Sequence, residues 1–79
     1  MDAKYIVFTS WDNFEEIVIF SARVIHRDTA RGMRGTVLSA GFMQISNGKA
    51  HCFGESESIG IESRGSEDSK LANEMLGLT

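Results

Sequence analysis

The 79-residue sequence predicts an α+β domain, a compact antiparallel sheet of four or five strands with two helices in the order β-β-α-β-β-(β)-α. Three observations carry that expectation. Thr36 to Gly54 reads as two strands joined by Asn47-Gly48, a dipeptide that favours a two-residue hairpin turn. Residues 4–10 (KYIVFTS) and 15–20 (EEIVIF) are short runs rich in β-branched and aromatic side chains. Two later stretches repeat apolar residues at helical spacing, each preceded by a serine and followed by a glycine.

The first two runs form a hairpin across Trp11-Asp12-Asn13-Phe14, and because both are almost continuously apolar they are strands covered on both faces. Trp11 and Phe14 read as a lid over the end of the core. Ser21 is placed to cap a helix over 22–33, ended by Gly32 or Gly35. On that helix Ala22, Ile25, His26, Thr29, Ala30 and Met33 share one face, and Arg23, Arg27, Arg31 and Arg34 form a stripe roughly 140° away.

In the central hairpin the two-residue loop sets Ser46 opposite Lys49, Ile45 opposite Ala50, Gln44 opposite His51, Met43 opposite Cys52 and Phe42 opposite Phe53. One face then carries Val37, Ser39, Gly41, Met43, Ile45, Ala50, Cys52 and Gly54, suited to a covering helix. The other carries Leu38, Ala40, Phe42 and Phe53, turning polar at Gln44 and His51. Two phenylalanines on an otherwise solvent-facing surface call for cover by another element, another chain or a ligand. Beyond it, residues 58–62 form a short third strand, or else a loop whose Ile59 and Ile61 plug the core. Ser66 reads as the cap of a final helix with Glu67 and Asp68 in its first turn, an apolar stripe of Leu71, Ala72, Met75 and Leu76, and a stop at Gly77.

Length and composition set bounds on function. One domain spans residues 1–79, and at this size only roughly 60% of the unfolded chain's surface is buried, so oligomerisation adds needed core. A single cysteine leaves no intrachain disulfide, and without a basic start and apolar run the chain reads as reduced and cytoplasmic, with no membrane-crossing segment. The net charge of −3 splits into −3 over residues 1–22, +3 over 23–34 and −3 over 35–79. That basic island is the one candidate footprint for a nucleic acid, and the acidic remainder opposes it.

Catalytic constellations fail on spacing. Cys52 and His51 are adjacent in a strand and face opposite ways, so they do not pair as nucleophile and base. Cys52 reads as a buried thiol and His26 as a partly buried imidazole. Glu55 and Glu57 read as a solvated acidic turn, and two histidines with one cysteine lack zinc spacing. No cofactor is implied, and an enzyme is not the expectation. Arg64 with Ser56 and Ser58 offers a weak anion site without a phosphate-loop signature.

The segments YIVF, EEIVIF, VLSAGF and CFGESESIGIESRGSEDS resemble small uncharacterised reading frames of phages and prophages. The resemblance implies a role in the host cytoplasm, including inhibition of a host defence protein or sequestration of a nucleotide signal, and it carries no site residue across. The expectation is a non-catalytic, homo-oligomeric binding protein. Arg23, Arg27, Arg31, Arg34 and Arg64 are its candidate contacts with a host protein or anion, and Phe42, Phe53, Gln44 and His51 its interface or pocket wall. The alternative is an oligomeric sponge for a small anionic ligand such as a nucleotide.

Overall fold

The computed structural model describes residues 2–10, 12–33 and 35–78. The expected class and order are present: β1 (Asp2–Thr9), β2 (Glu15–Ser21), α1 (His26–Ala30), β3 (Thr36–Ser46), β4 (Lys49–Phe53), β5 (Glu55–Ser56), β6 (Ile61–Glu62) and α2 (Ser66–Leu76). Four strands form an antiparallel sheet in the order β2-β1-β3-β4, and β5 pairs with β6 in a separate two-stranded ladder. The expected third strand of the second half is therefore a two-residue partner of β5 rather than a continuation of the main sheet.

Every predicted pair of the β3–β4 hairpin is in place, from Ser46 opposite Lys49 to Phe42 opposite Phe53. Positive φ at Asn47 (55°) and Gly48 (74°) gives the turn whose twist matches the strands. β1 lies centrally, which explains why Tyr5, Ile6 and Val7 are fully buried, whereas the apolar residues of edge strand β2 remain partly exposed.

α2 covers one face of the sheet. There Tyr5, Val7, Met43, Cys52, Ala50 and Ala72 form the core, with Ile17, Ile19, Leu71 and Leu78 packed around it. Leu38, expected on the opposite face, packs against this cluster. A register shift between Val7 and Phe8, opposite Ser39 and Val37, changes the alternation at that end of β3. Gly77 in the left-handed conformation ends α2, and Leu78 N–H returns to Asn73 O at 2.8 Å.

Other expectations change more. Ser21 belongs to β2, opposite Ala3, and its hydroxyl accepts the Arg23 N–H at 3.2 Å while its carbonyl accepts Val24 N–H at 3.0 Å. The chain thus turns over 22–24 before a helix of only five residues, His26–Ala30. Arg23 is in that turn, so the four arginines do not form one helical stripe, and Arg34 lies outside the described residues. Phe14 is 70% exposed and is no lid over the core; Trp11, the other half of that expectation, also lies outside the described residues. No helix among the described residues is long and apolar enough to cross a membrane.

Candidate functional site

The face opposite α2 carries an open groove of about 570 Å³ between α1 and the segment after β4. His26 is its hinge of packing. The imidazole is buried edge-on against Phe20 (5.4 Å) and Phe42 (5.9 Å), and its Nε2–H donates to Gly41 O at 2.8 Å. Burial lowers its pKa, the Gly41 bond opposes that, and nearby Lys4 adds to the lowering. Phe42 stacks on Phe53 with centroids 6.0 Å apart and ring planes 26° apart. A Cβ on Gly41 would stand 2.5 Å from Phe53 O, so only glycine lets β3 and β4 approach this closely beneath the groove.

Polar groups edge this aromatic floor. Lys4 Nζ donates to Val24 O at 2.8 Å and lies 6.0 Å from the centre of the Phe42 ring. Ser58 Oγ accepts the Arg27 N–H at 3.1 Å, tying the start of α1 to the β5–β6 loop. Glu55 and Glu57 line the far side. Ile25 and Phe53, 47% and 43% exposed, are the large apolar side chains left open there.

The predicted site residues thus separate into different places. Phe42, Phe53 and Ser58 line this groove, and Arg27 and Arg31 are exposed on the adjoining α1. Arg31 faces Asp28 at 3.9 Å, an exposed pair worth at most a few tenths of a kcal/mol. Gln44 and His51 pair on the solvent side of the hairpin, outside the groove lining. Ser56 is buried, 3.4 Å from the Ser58 hydroxyl, and its carbonyl accepts Gly60 N–H at 2.9 Å. Arg23 borders a second, larger groove at the Ser21 end of β2.

Arg64 is committed inside the domain. Its Nη2 donates to Glu15 Oε1 at 2.6 Å and its Nε to Asp68 Oδ1 at 2.8 Å, with Glu67 3.8 Å away. Asp68 is fully buried and also accepts Tyr5 O–H at 2.5 Å and Arg64 N–H at 2.9 Å. Burial alone would raise the Asp68 carboxyl, but the bonds from Tyr5, the Arg64 backbone and the Arg64 guanidinium outweigh it and hold its pKa below the ordinary value. Burial and that same carboxylate push the Tyr5 phenol up. The buried Ser39 hydroxyl has no hydrogen-bond partner among the described residues.

Sequence reasoning missed this network. The sequence places Asp68 with the helix dipole, and three residues into α2 it also reaches back to Arg64 in the chain before the helix, as capping side chains do. No family model, curated protein or solved structure matches the chain.

Cys52 lies under α2, its N–H donating to Ser69 Oγ at 2.8 Å, and burial pushes the thiol up to about 11. Among the described residues no group of three His, Cys, Asp or Glu side chains is placed to hold a metal ion.

Proposed function

We propose that this chain is a non-catalytic binding module that takes a protein partner against the groove beside α1, and that it works as a homo-oligomer. The observation that carries the reading is the open aromatic floor of Phe42 and Phe53 flanked by exposed Ile25, with Arg27 and Arg31 on the adjoining helix. Aromatic anchors rimmed by arginine are the composition from which interface energy comes. Among the described residues the Arg27 guanidinium has no ion-pair partner, leaving it available to a carboxylate of the partner. The resemblance to phage reading frames supports a partner in the host cytoplasm, and a defence protein is the class this proposal favours.

A nucleotide is the second reading, supported by the stacked phenylalanines and by Lys4 above Phe42. Glu55 and Glu57 in the lining weigh against an anion, and Arg64, the other cation assigned to that role, is occupied by carboxylates elsewhere.

The test compares tagged wild type with R27E/R31E, both checked for equal folding by circular dichroism, for capture of an interacting protein in the natural host. The expected result is a discrete partner held by the wild type and lost from the double variant. A partner held equally by both removes the arginine contact. Native mass spectrometry of the captured material separates the readings: an added mass of a few hundred daltons in place of a protein would overturn the protein-partner reading in favour of the nucleotide.

A further inference from the structure

The two edges of the main sheet are treated differently. On β4 three outward backbone groups are taken by α2: Ala50 N–H donates to Asn73 Oδ1 at 2.8 Å, Asn73 Nδ2 donates to Ala50 O at 3.0 Å, and Cys52 N–H donates to Ser69 Oγ at 2.8 Å. A helix covering an edge in this way blocks strand addition. β2, the opposite edge, has no such cover among the described residues.

The direction of its free groups follows from the register. Ser10 N–H donates to Phe14 O at 3.2 Å, which makes Ser10 and Phe14 a hydrogen-bonded pair at the head of the β1–β2 ladder. Alternation along an antiparallel pair then turns Glu16, Val18 and Phe20 toward β1, and turns the backbone groups of Glu15, Ile17, Ile19 and Ser21 outward. The strand has neither proline nor lysine to blunt it, and its two charges, Glu15 and Glu16, sit at one end.

We infer that β2 pairs with β2 of a second copy about a twofold axis at Val18, joining two four-stranded sheets into one. In this register Ile17 and the partner's Ile19 exchange both backbone hydrogen bonds, Val18 faces the partner's Val18, and the glutamates of the two copies lie at opposite ends. The pairing is self-complementary beyond the strand. It brings the exposed Phe14 of each copy alongside the partner's Ala22, at the mouth of the second groove, whose lining includes Ile19, Phe20 and Arg23. By the same register Arg23, in the turn that follows the strand, falls toward the partner's segment around Asp12, a positive end against a negative one. This deepens the oligomeric part of the proposed function and uses none of the groove beside α1, so the partner contact and the dimer fail independently.

The experiment combines sedimentation velocity over about 1–100 µM, a range that brackets micromolar association, with residue-resolved amide exchange by NMR. Wild type is expected to dimerise, with the Ile17 and Ile19 amides slowed at least about tenfold relative to a bare edge. V18K and V18E place like charges across the axis, and each is expected to weaken the homodimer by about tenfold or more. Mixing the two restores a dimer, because Lys then faces Glu. Should either Val18 variant fail to fold, F14S changes a side chain the fold leaves exposed and is expected to weaken the dimer severalfold with an unchanged circular dichroism spectrum. A wild type that stays monomeric throughout overturns both this interface and the homo-oligomer of the proposed function. A dimer insensitive to these variants, with Ile17 and Ile19 exchanging freely, overturns the β2 edge alone.

Discussion

Replacing Asp68 by asparagine tests what fastens α2 to the sheet. The carboxylate is fully buried and accepts three donors, Tyr5 O–H, Arg64 N–H and Arg64 Nε–H. An amide offers a single oxygen and turns an NH2 donor toward groups that themselves donate, so at least one buried partner is left unmatched. Breaking a buried charged pair from one side costs about 3–5 kcal/mol. Arg64 keeps Glu15 and is 26% exposed, which sets the loss near the lower end, about 3 kcal/mol. At about 4–8 °C per kcal/mol for a domain of this size, Tm should fall by roughly 12–24 °C. Urea unfolding followed by circular dichroism at pH 7 reads the change as a lower midpoint at constant slope. The pH dependence is equally specific. Asp68 has a lower pKa folded than unfolded, so its contribution is complete above about pH 4, the unfolded value, and is lost as pH falls through the lower folded one. The gap between wild type and D68N should therefore close in strong acid. A loss below about 1 kcal/mol at pH 7, the size of one ordinary hydrogen bond, would refute the network as the fastening.

Two further outcomes follow from neighbouring groups. The Tyr5 phenol has a higher pKa folded than unfolded, so the stability it contributes is complete below about pH 10 and declines as pH rises beyond it. Y5F should lose about 1–2 kcal/mol at pH 7 by removing a donor from Asp68, and should flatten the alkaline decline in a urea series from pH 8 to about 11, leaving the share owed to Cys52. N73A strips both bonds from Ala50 and should cost about 1–3 kcal/mol in urea unfolding. By baring the β4 edge it should also raise self-association in sedimentation velocity, an increase that a purely packing role for Asn73 would not give.

The parts legible in the sequence are those fixed by local chemistry. Asn47-Gly48 specified a turn, the turn specified the register, and five pairs from Ser46–Lys49 to Phe42–Phe53 followed. The apolar runs of β1 and β2 likewise declared strands, and Gly77 declared the end of α2. The first helix misled because Ser21 serves two local geometries equally well. A serine ahead of helical periodicity is a cap signal, but its hydroxyl can also accept the N–H two residues on, and here pairing of Ser21 with Ala3 extends the strand and selects that turn. Leu38 changed sides because a register shift against β1 is a property of two strands distant in sequence. The candidate site divided for the same reason. Phe42 and Phe53 were placed together by the hairpin, whereas the occupation of Arg64 by Glu15, 49 residues away, depends on the folded topology.

The two sides of the sheet are built to different ends. On the α2 side, an 11-residue helix packs apolar residues on the core, anchors Asp68 in a charged network and spends Ser69 and Asn73 on closing an edge. On the α1 side, a five-residue helix is held by the single buried imidazole of His26 and by Ser58, and leaves an aromatic floor open between Ile25 and Phe53. The closed edge at β4 directs strand addition to β2, and the α2 side itself stays open next to that strand, where the second groove is lined by Ile19, Met43, Ile45 and Leu76. On the proposed function, the surface offered to a second copy along β2 and the surface offered to a different partner beside α1 are separate, in a chain too small to bury all of its apolar surface alone. Were both proposals to hold, assembly and recognition would be altered one at a time, charge reversal at Arg27 and Arg31 acting beside α1 and charge at Val18 acting along β2.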